Sequence, residues 1–263
     1  MIRTAVLAAF LAAPALATTQ EDALQATLRP GWKTENGNRM AALDLVLAPG
    51  WKTYWRSPGD AGIPPSFDWS GSENVKSVRL HWPAPQVFLT NGMQTIGYRE
   101  RLVLPLEITP ESPDLPIRLK VRIQLGICFE ICLPAEVDLA SDLATPGGPD
   151  ASIEAALARR ATSAQEAGVT RVTCQVDPIA DGLRLTARLD LPDPGLPEVV
   201  AFETADQEVW VATAVTERQG GKLVAMTELV PPSGAPFALD RSEVTMTILA
   251  AGGAIEVKGC PDP

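Results

Sequence analysis

The chain has 263 residues and a formal net charge of −10, an acidic balance that argues against a nucleic-acid binder because neutralising phosphates requires clustered Lys and Arg. Its length allows one large or two modest domains, and its 24 Pro and 20 Gly residues favour short strands joined by tight turns.

Residues 1–17 have the pattern of a secretory signal peptide: Arg3, an apolar run, and Ala15-Leu16-Ala17 as a small-x-small cleavage site. An apolar run of about 13 residues is too short to cross a bilayer, which takes ~20 residues. We therefore predict cleavage of this segment, export to the periplasm and no stable membrane insertion, with a buried N-terminal helix as the alternative. Export would place the cysteines in an oxidising compartment, where disulfides persist.

Strand patterns dominate residues 18–146, which we predict to form the first domain. The clearest pattern is PIRLKVRIQLGIC, in which apolar and mostly polar residues alternate from Ile117 to Cys128. Strict alternation of this kind predicts a strand with one buried and one solvent-exposed face. Turn clusters separate this strand from shorter ones, so we predict an antiparallel β-sandwich. The shorter strands are expected at residues 40–47, 75–80 and 102–108.

The pattern changes after residue 146. Residues 147–167 contain a Pro/Gly break and then a helical pattern that Asp150 or Ser152 could cap, so they are predicted to be a linker with a short helix. Residues 168–263 return to strand patterns and are predicted to form a second β-sandwich-like domain. Its strands are expected at residues 169–176, 183–191, 199–204, 209–215, 223–229, 244–249 and 254–257.

Four cysteines allow three pairings, and their spacing favours Cys128 with Cys132 and Cys174 with Cys260. In the loop-entropy model, the long loop closed by the second pair gives ~4–5 kcal/mol of stabilisation, whereas the short loop of the first gives only ~2 kcal/mol. Cys174–Cys260 is therefore predicted to be a structural disulfide. Cys128–Cys132 makes a poor structural disulfide, although a small clip that fixes the end of a strand remains an alternative.

The spacing of the first pair constrains its geometry. In an extended strand these residues would lie ~13 Å apart, but a disulfide needs Cα atoms within ~7 Å. Residues 129–131 must therefore turn back. Strand parity places Cys128 on the exposed face, and an exposed disulfide in a small loop is of the exchangeable kind. Glu130, between the cysteines, is expected to disfavour a thiolate by charge repulsion.

Other interpretations of the site residues stay open at this point. Two thiolates fill half of a zinc shell, and the only histidine, His81, is better explained as a residue at a strand end. Cu(I) could be bound by the two cysteines with a methionine such as Met93. In the stretch from residue 50 to residue 60, the aromatic residues are expected to fill the core, while a docking role for exposed Trp55 or Arg56 is the alternative.

Three motifs, in order, resemble the periplasmic N-terminal domain of the thiol:disulfide interchange protein DsbD family, and especially its ScsB-like branch with C-x3-C cysteines. They are LAPGWKTYWRSPGDAGIPPSFDWS, GYRERLVLPLEI and CFEICLPAEVDL, within residues 25–143. The resemblance implies that the first domain is an immunoglobulin-like β-sandwich. The whole chain is then expected to be all-β, with a short helical linker and a second β-sandwich-like domain after it.

The resemblance also implies residue roles and partners. Cys128 and Cys132 would be the redox-active pair, Cys132 would form mixed disulfides, and Phe88 and Leu89 would belong to a loop that shields the pair. The family passes electrons from a membrane-embedded thiol reductase to periplasmic thioredoxin-fold proteins, and no cofactor is implied. Because no later stretch has transmembrane length, the membrane reductase would be a separate partner.

The predicted function is therefore that of an exported thiol–disulfide exchange protein acting through these two cysteines. The alternatives are a non-redox periplasmic binding or assembly module with structural disulfides, and a Cu(I)-handling protein. No acid–base pair, nucleophile–histidine arrangement or phosphate-binding loop in the sequence indicates a hydrolase or kinase.

Overall fold

The computed structural model describes residues 19–90, 92–143, 147–193, 195 and 198–262. The predicted signal peptide, residues 1–17, lies outside the described residues. None of the helices in the described part of the chain is long or apolar enough to cross a membrane.

The first half of the chain is built almost entirely of strands. A four-residue helix, α1 (Gln20–Ala23), precedes the first strand and has a capping box with Thr19. Ten strands follow: β1 (Leu24–Lys33), β2 (Arg39–Leu47), β3 (Lys52–Gly59), β4 (Ser66–Asp68), β5 (Ser77–Leu80), β6 (Gln86–Thr90), β7 (Met93–Arg99), β8 (Arg101–Thr109), β9 (Ile117–Cys128) and β10 (Cys132–Leu143).

These strands form a β-sandwich of two antiparallel sheets. One sheet has the order β1-β2-β8-β5, and the other has the order β10-β9-β3-β7-β6, with β4 also pairing with β9. Strand β9 confirms the predicted alternation, because its six inward residues from Ile117 to Ile127 are at most 3% exposed. Burying each such Ile, Leu or Val side chain contributes ~1.5–3 kcal/mol, so this strand is a main support of the core.

The sequence prediction missed several strands, among them β3, which carries Tyr54 and Trp55. The aromatic residues Tyr54 and Trp55 are 2% and 1% exposed, so their expected place in the interior is confirmed. Trp55 is not exposed, and the alternative in which it docks a partner is wrong for that residue. The surrounding motif is strand β3 as far as Gly59, and a turn begins at Asp60.

The predicted helix is present as α2 (Ala151–Ala158), and its N-cap is Asp150, which accepts hydrogen bonds from the backbone of Ser152 and Ile153. Ile153 is fully buried against Met40 and its neighbours on strand β2. Arg29 donates to the carboxylate of Asp150 at 3.0 Å. The helix is therefore fixed to the outer face of the first sandwich.

The second half forms another two-sheet sandwich. One sheet has the order β11-β19-β18-β14, with β11 parallel to β19, and the other has the order β12-β13-β17-β15, with β16 also pairing with β17. The expected strand at 209–215 is wrong, because that stretch holds one short strand and the first residue of another. The strands are: β11 (Thr162–Ser163), β12 (Arg171–Ile179), β13 (Gly182–Asp190), β14 (Val199–Glu203), β15 (Trp210–Val211), β16 (Val215–Gln219), β17 (Lys222–Val230), β18 (Thr245–Ala250) and β19 (Gly253–Lys258).

The two sandwiches pack against each other. Ala201, Leu249 and Ala254 of the second sandwich belong to the hydrophobic cluster of the first. Arg56, on β3, donates two hydrogen bonds to Glu203 at 2.8 and 3.0 Å and one to Glu256 at 2.9 Å. Arg56 therefore binds within the chain, and it joins strands that lie some 150 to 200 residues apart in the sequence.

Candidate functional site

Cys128 and Cys132 lie directly opposite each other across a β-hairpin. Cys128 ends β9, Cys132 begins β10, and the strand register pairs them with a Cα–Cα distance of 4.1 Å. They are joined by a disulfide. The intervening residues 129–131 form the hairpin loop, in which the backbone N–H of Phe129 donates to the carbonyl of Ile131 at 3.3 Å. The required turn is thus present, as a three-residue loop.

The two sulfur-bearing residues differ in exposure. Cys132 is exposed, whereas Cys128 is only 4% exposed, so the expectation of an exposed Cys128 is wrong. Parity places Cys128 on the same face as the exposed basic residues of β9, but this end of that face is covered. At Gly126 the ring of Tyr54 and the side chain of Ile63 come so close that a Cβ there would collide with them. Neighbouring elements, which parity does not describe, decide the exposure.

Tyr54 contacts the disulfide directly. Its hydroxyl lies 3.0 Å from Sγ of Cys132, while the residue itself is only 2% exposed. Burial raises the pKa of the Tyr54 phenol, which keeps it neutral and able to donate a hydrogen bond. The sequence pattern indicates only a core role for Tyr54. If β3 had been recognised as the neighbour of β9, its alternation would have placed Tyr54 on the face that carries the cysteines.

A cationic group lies on the same sheet face beside the cysteines. Nζ of Lys52 donates to Oγ1 of Thr95 at 3.0 Å and lies 5.0 Å from the ring centroid of Phe88. The guanidinium of Arg99 lies 5.2 Å from the same ring. Burial, followed by the positive charge of Arg99, lowers the pKa of Lys52. Neither cation was identified from the sequence.

The predicted shielding residues occupy different environments. Phe88 is half-buried and covers the two cations, and it faces Thr95 across the β6–β7 pairing. Leu89 is 76% exposed. A second aromatic contact holds the hairpin loop, because Phe129 stacks on Trp51 with ring centroids 6.2 Å apart. Shielding of the sulfurs by Phe88 and Leu89 therefore stays a prediction.

The remaining candidates lie elsewhere. Cys174 and Cys260 form a disulfide inside the second sandwich and are 0% and 1% exposed. His81 directly follows β5, and its Nε2 lies 3.0 Å from a carboxylate oxygen of Glu107. Within the described ranges, no three or more His, Cys, Asp or Glu residues are grouped so that they could hold a metal ion.

The N-terminal half of the chain matches a known family. The family described as thiol:disulfide interchange protein DsbD, N-terminal, matches residues 17–144, which include the whole hairpin and its disulfide. Residues 17–144 are a DsbD N-terminal-like domain. This domain is a thiol–disulfide interchange domain by family and has the immunoglobulin-like fold of the DsbD N-terminus.

Solved structures extend the similarity over both sandwiches. The crystal structure of the N-terminal periplasmic domain of ScsB from Proteus mirabilis matches with a TM-score of 0.71 at 23% identity, covering 94% of this chain and 97% of that one. This likeness shows that both share a fold in which a second sandwich follows the DsbD N-terminal-like domain.

A second solved structure is the reduced form of the Neisseria meningitidis DsbD N-terminal domain. It matches with a TM-score of 0.29 at 14% identity, covering 49% of this chain and 91% of that one, which is too low to support a structural comparison. No curated protein matches the chain.

Proposed function

We propose that the chain is an exported thiol–disulfide exchange protein that relays electrons between a membrane thiol reductase and periplasmic thioredoxin-fold proteins through Cys128 and Cys132. The observation that carries the proposal is the hairpin disulfide of the DsbD N-terminal-like domain, with Cys132 exposed and Cys128 buried. Export is supported by the signal-peptide pattern of residues 1–17 and by the periplasmic location of the similar ScsB domain.

The unequal exposure of the cysteines supports an order of events. An incoming thiolate attacks Sγ of Cys132, which forms a mixed disulfide, and the sulfur–sulfur bond to Cys128 breaks with its electron pair left on Cys128. A second thiol of the partner, as its thiolate, then displaces Cys132. The partner leaves as a disulfide, and this chain holds two reduced cysteines. Transfer to a thioredoxin-fold acceptor is the same sequence in reverse.

The other predicted site residues have supporting roles in this proposal. Phe88 covers Lys52 on the face that carries the cysteines, and in this proposal it restricts access to the disulfide. The exposed Leu89 is its neighbour on β6, in the part of the sheet that an incoming partner would meet. Cys174–Cys260 is structural: both residues are at most 1% exposed, so a partner protein cannot reach them without unfolding the second sandwich.

Trapping of mixed disulfides tests the proposal. In a Cys128→Ala variant, the free thiolate of Cys132 attacks the disulfide of a thioredoxin-fold partner and has no resolving neighbour, so the partner should stay covalently attached. The matched control is Cys132→Ala, which leaves only the buried Cys128 and should capture nothing. If neither variant captures a partner and the Cys128–Cys132 reduction potential lies below about −300 mV, the bridge is structural and the proposed relay is wrong.

A further inference from the structure

A row of four side chains crosses the sheet that carries the disulfide. The strand register pairs Arg99 on β7 with Lys52 on β3, Lys52 with Cys128 on β9, and Cys128 with Cys132 on β10. Directly opposite residues on neighbouring strands point to the same face, with Cβ atoms ~4.5–5.5 Å apart. Two cations and two sulfurs therefore lie side by side, with Lys52 next to the buried cysteine.

Among the residues that the structure describes, the two cations lie apart from any carboxylate partner. Neither Lys52 nor Arg99 takes part in any ion pair formed among the described residues. Instead, Lys52 is held by the hydroxyl of Thr95 and by the faces of Phe88 and Tyr54, whose ring centroids lie 5.0 and 5.9 Å from its Nζ. A half-buried ammonium surrounded by a second cation and neutral groups is stabilised by any anion that forms beside it.

Acidic groups near the row are exposed or already engaged. Glu130, in the hairpin loop, is exposed, and solvent screens its repulsion of a buried sulfur. Glu100 accepts a hydrogen bond from the backbone N–H of Gly50 at 3.2 Å. Glu136, on the same face of β10 as Cys132, accepts from Gln124 at 3.2 Å four residue pairs further along. The half-buried Lys52, with the exposed Arg99 on its other side, therefore places positive charge beside Cys128, where the nearby carboxylates are screened or engaged.

We propose that Lys52, assisted by Arg99, stabilises the thiolate that Cys128 becomes when the disulfide opens. This inference rests on the proposed function only in requiring that the disulfide opens. As a thiolate bonds to Sγ of Cys132, the electron pair of the broken bond stays on Cys128, which lies directly opposite Lys52 in the sheet, and no proton has to be transferred. Lys52 thus makes Cys128 a better leaving group and opposes the effect expected of Glu130 from the sequence.

The thiol pKa of Cys128 tests this role without any partner protein. It is measured on the full mature chain carrying Cys132→Ser, from thiolate absorbance against pH, with Cys174–Cys260 left oxidised. We expect a pKa below the ~8.5 of a free cysteine. Lys52→Met should raise the pKa of Cys128 by about one unit. At any pH below the Cys128 pKa of both proteins, this means about tenfold less thiolate. Lys52→Arg should restore the lower pKa.

Two further variants complete the test. Lys120→Met removes the same charge from the same face of β9, but at an exposed position eight residues from Cys128, and should leave the pKa unchanged. Arg99→Met should raise the pKa by less than Lys52→Met, and it decides the question if the Lys52 variant does not fold. A Cys128 pKa at or above 8.5, or one that neither Lys52→Met nor Arg99→Met moves, overturns the inference. The trapping experiment with Cys128→Ala does not depend on this result.

Discussion

Removing the hydroxyl of Tyr54 should make the Cys128–Cys132 disulfide harder to reduce. The hydroxyl lies 3.0 Å from Sγ of Cys132, and burial raises the pKa of the phenol, so it donates to the sulfur while remaining neutral. A hydrogen bond to a charged acceptor contributes about 1.5–3 kcal/mol and one to a neutral acceptor about 0.5–1.5 kcal/mol. The thiolate of the reduced state therefore gains more from Tyr54 than the disulfide does.

The magnitude follows from that difference. A differential stabilisation of about 1–2 kcal/mol corresponds to roughly 20–45 mV for a two-electron couple. Tyr54→Phe should lower the reduction potential by this amount at pH 9, above the ~8.5 at which a free thiol ionises, and by less at pH 6, well below it. Phe keeps the ring against Gly126 and Ile63, so packing is preserved.

Equilibration with a dithiol buffer of known potential, read by the shift of alkylated protein on a gel, provides the measurement. Tyr98→Phe is the matched control: its hydroxyl is also buried and donates to the carbonyl of Pro83 at 2.7 Å, away from the cysteines. It should lower stability by about 1 kcal/mol and leave the potential unchanged. A Tyr54→Phe potential equal to that of the parent protein at pH 9, or equal shifts in both variants, would refute the reasoning.

Two further predictions concern the junctions of the fold. Arg56→Met leaves Glu203 and Glu256 without their cation and should cost about 2–3 kcal/mol in denaturant unfolding, somewhat below the loss typical of a fully buried pair because Glu256 is 39% exposed. Arg184→Met, which breaks only an exposed pair, should cost under about 1 kcal/mol, and equal losses would contradict a special role for the junction. Asp150→Ala should cost about 1–2 kcal/mol in the same assay, and Asp150→Asn less, since Asn also caps a helix. Burial tends to raise the pKa of Asp150, but hydrogen bonds from Ile153, Ser152 and Arg29 lower it overall, so its stabilisation is complete above pH ~4 and lost as pH falls through the folded pKa. The Asp150→Ala variant should therefore lose less stability than the parent between pH 5 and pH 2, and an unchanged acid transition would contradict this assignment.

The sequence predicted those features that depend on local pattern. Alternation along β9 determined which of its residues face the core, because side chains in a strand point to opposite faces in turn. The capping signal at Asp150 identified the start of α2 in the same way. The spacing of Cys128 and Cys132 required a turn between them, since chain geometry alone forbids an extended disulfide over four residues.

Only the tertiary structure decided what surrounds the sulfurs. Lys52 and Arg99 precede Cys128 in the chain by 76 and 29 positions, and it is the pairing of three strands that brings them into its row. Likewise, Cys128 is buried at an end of the sheet where Tyr54 and Ile63 lie over Gly126, although its position in the alternating pattern suggested exposure. A local pattern fixes the direction of a side chain, but exposure and charge environment depend on strands that are distant in sequence, and no local pattern encodes which of them become neighbours.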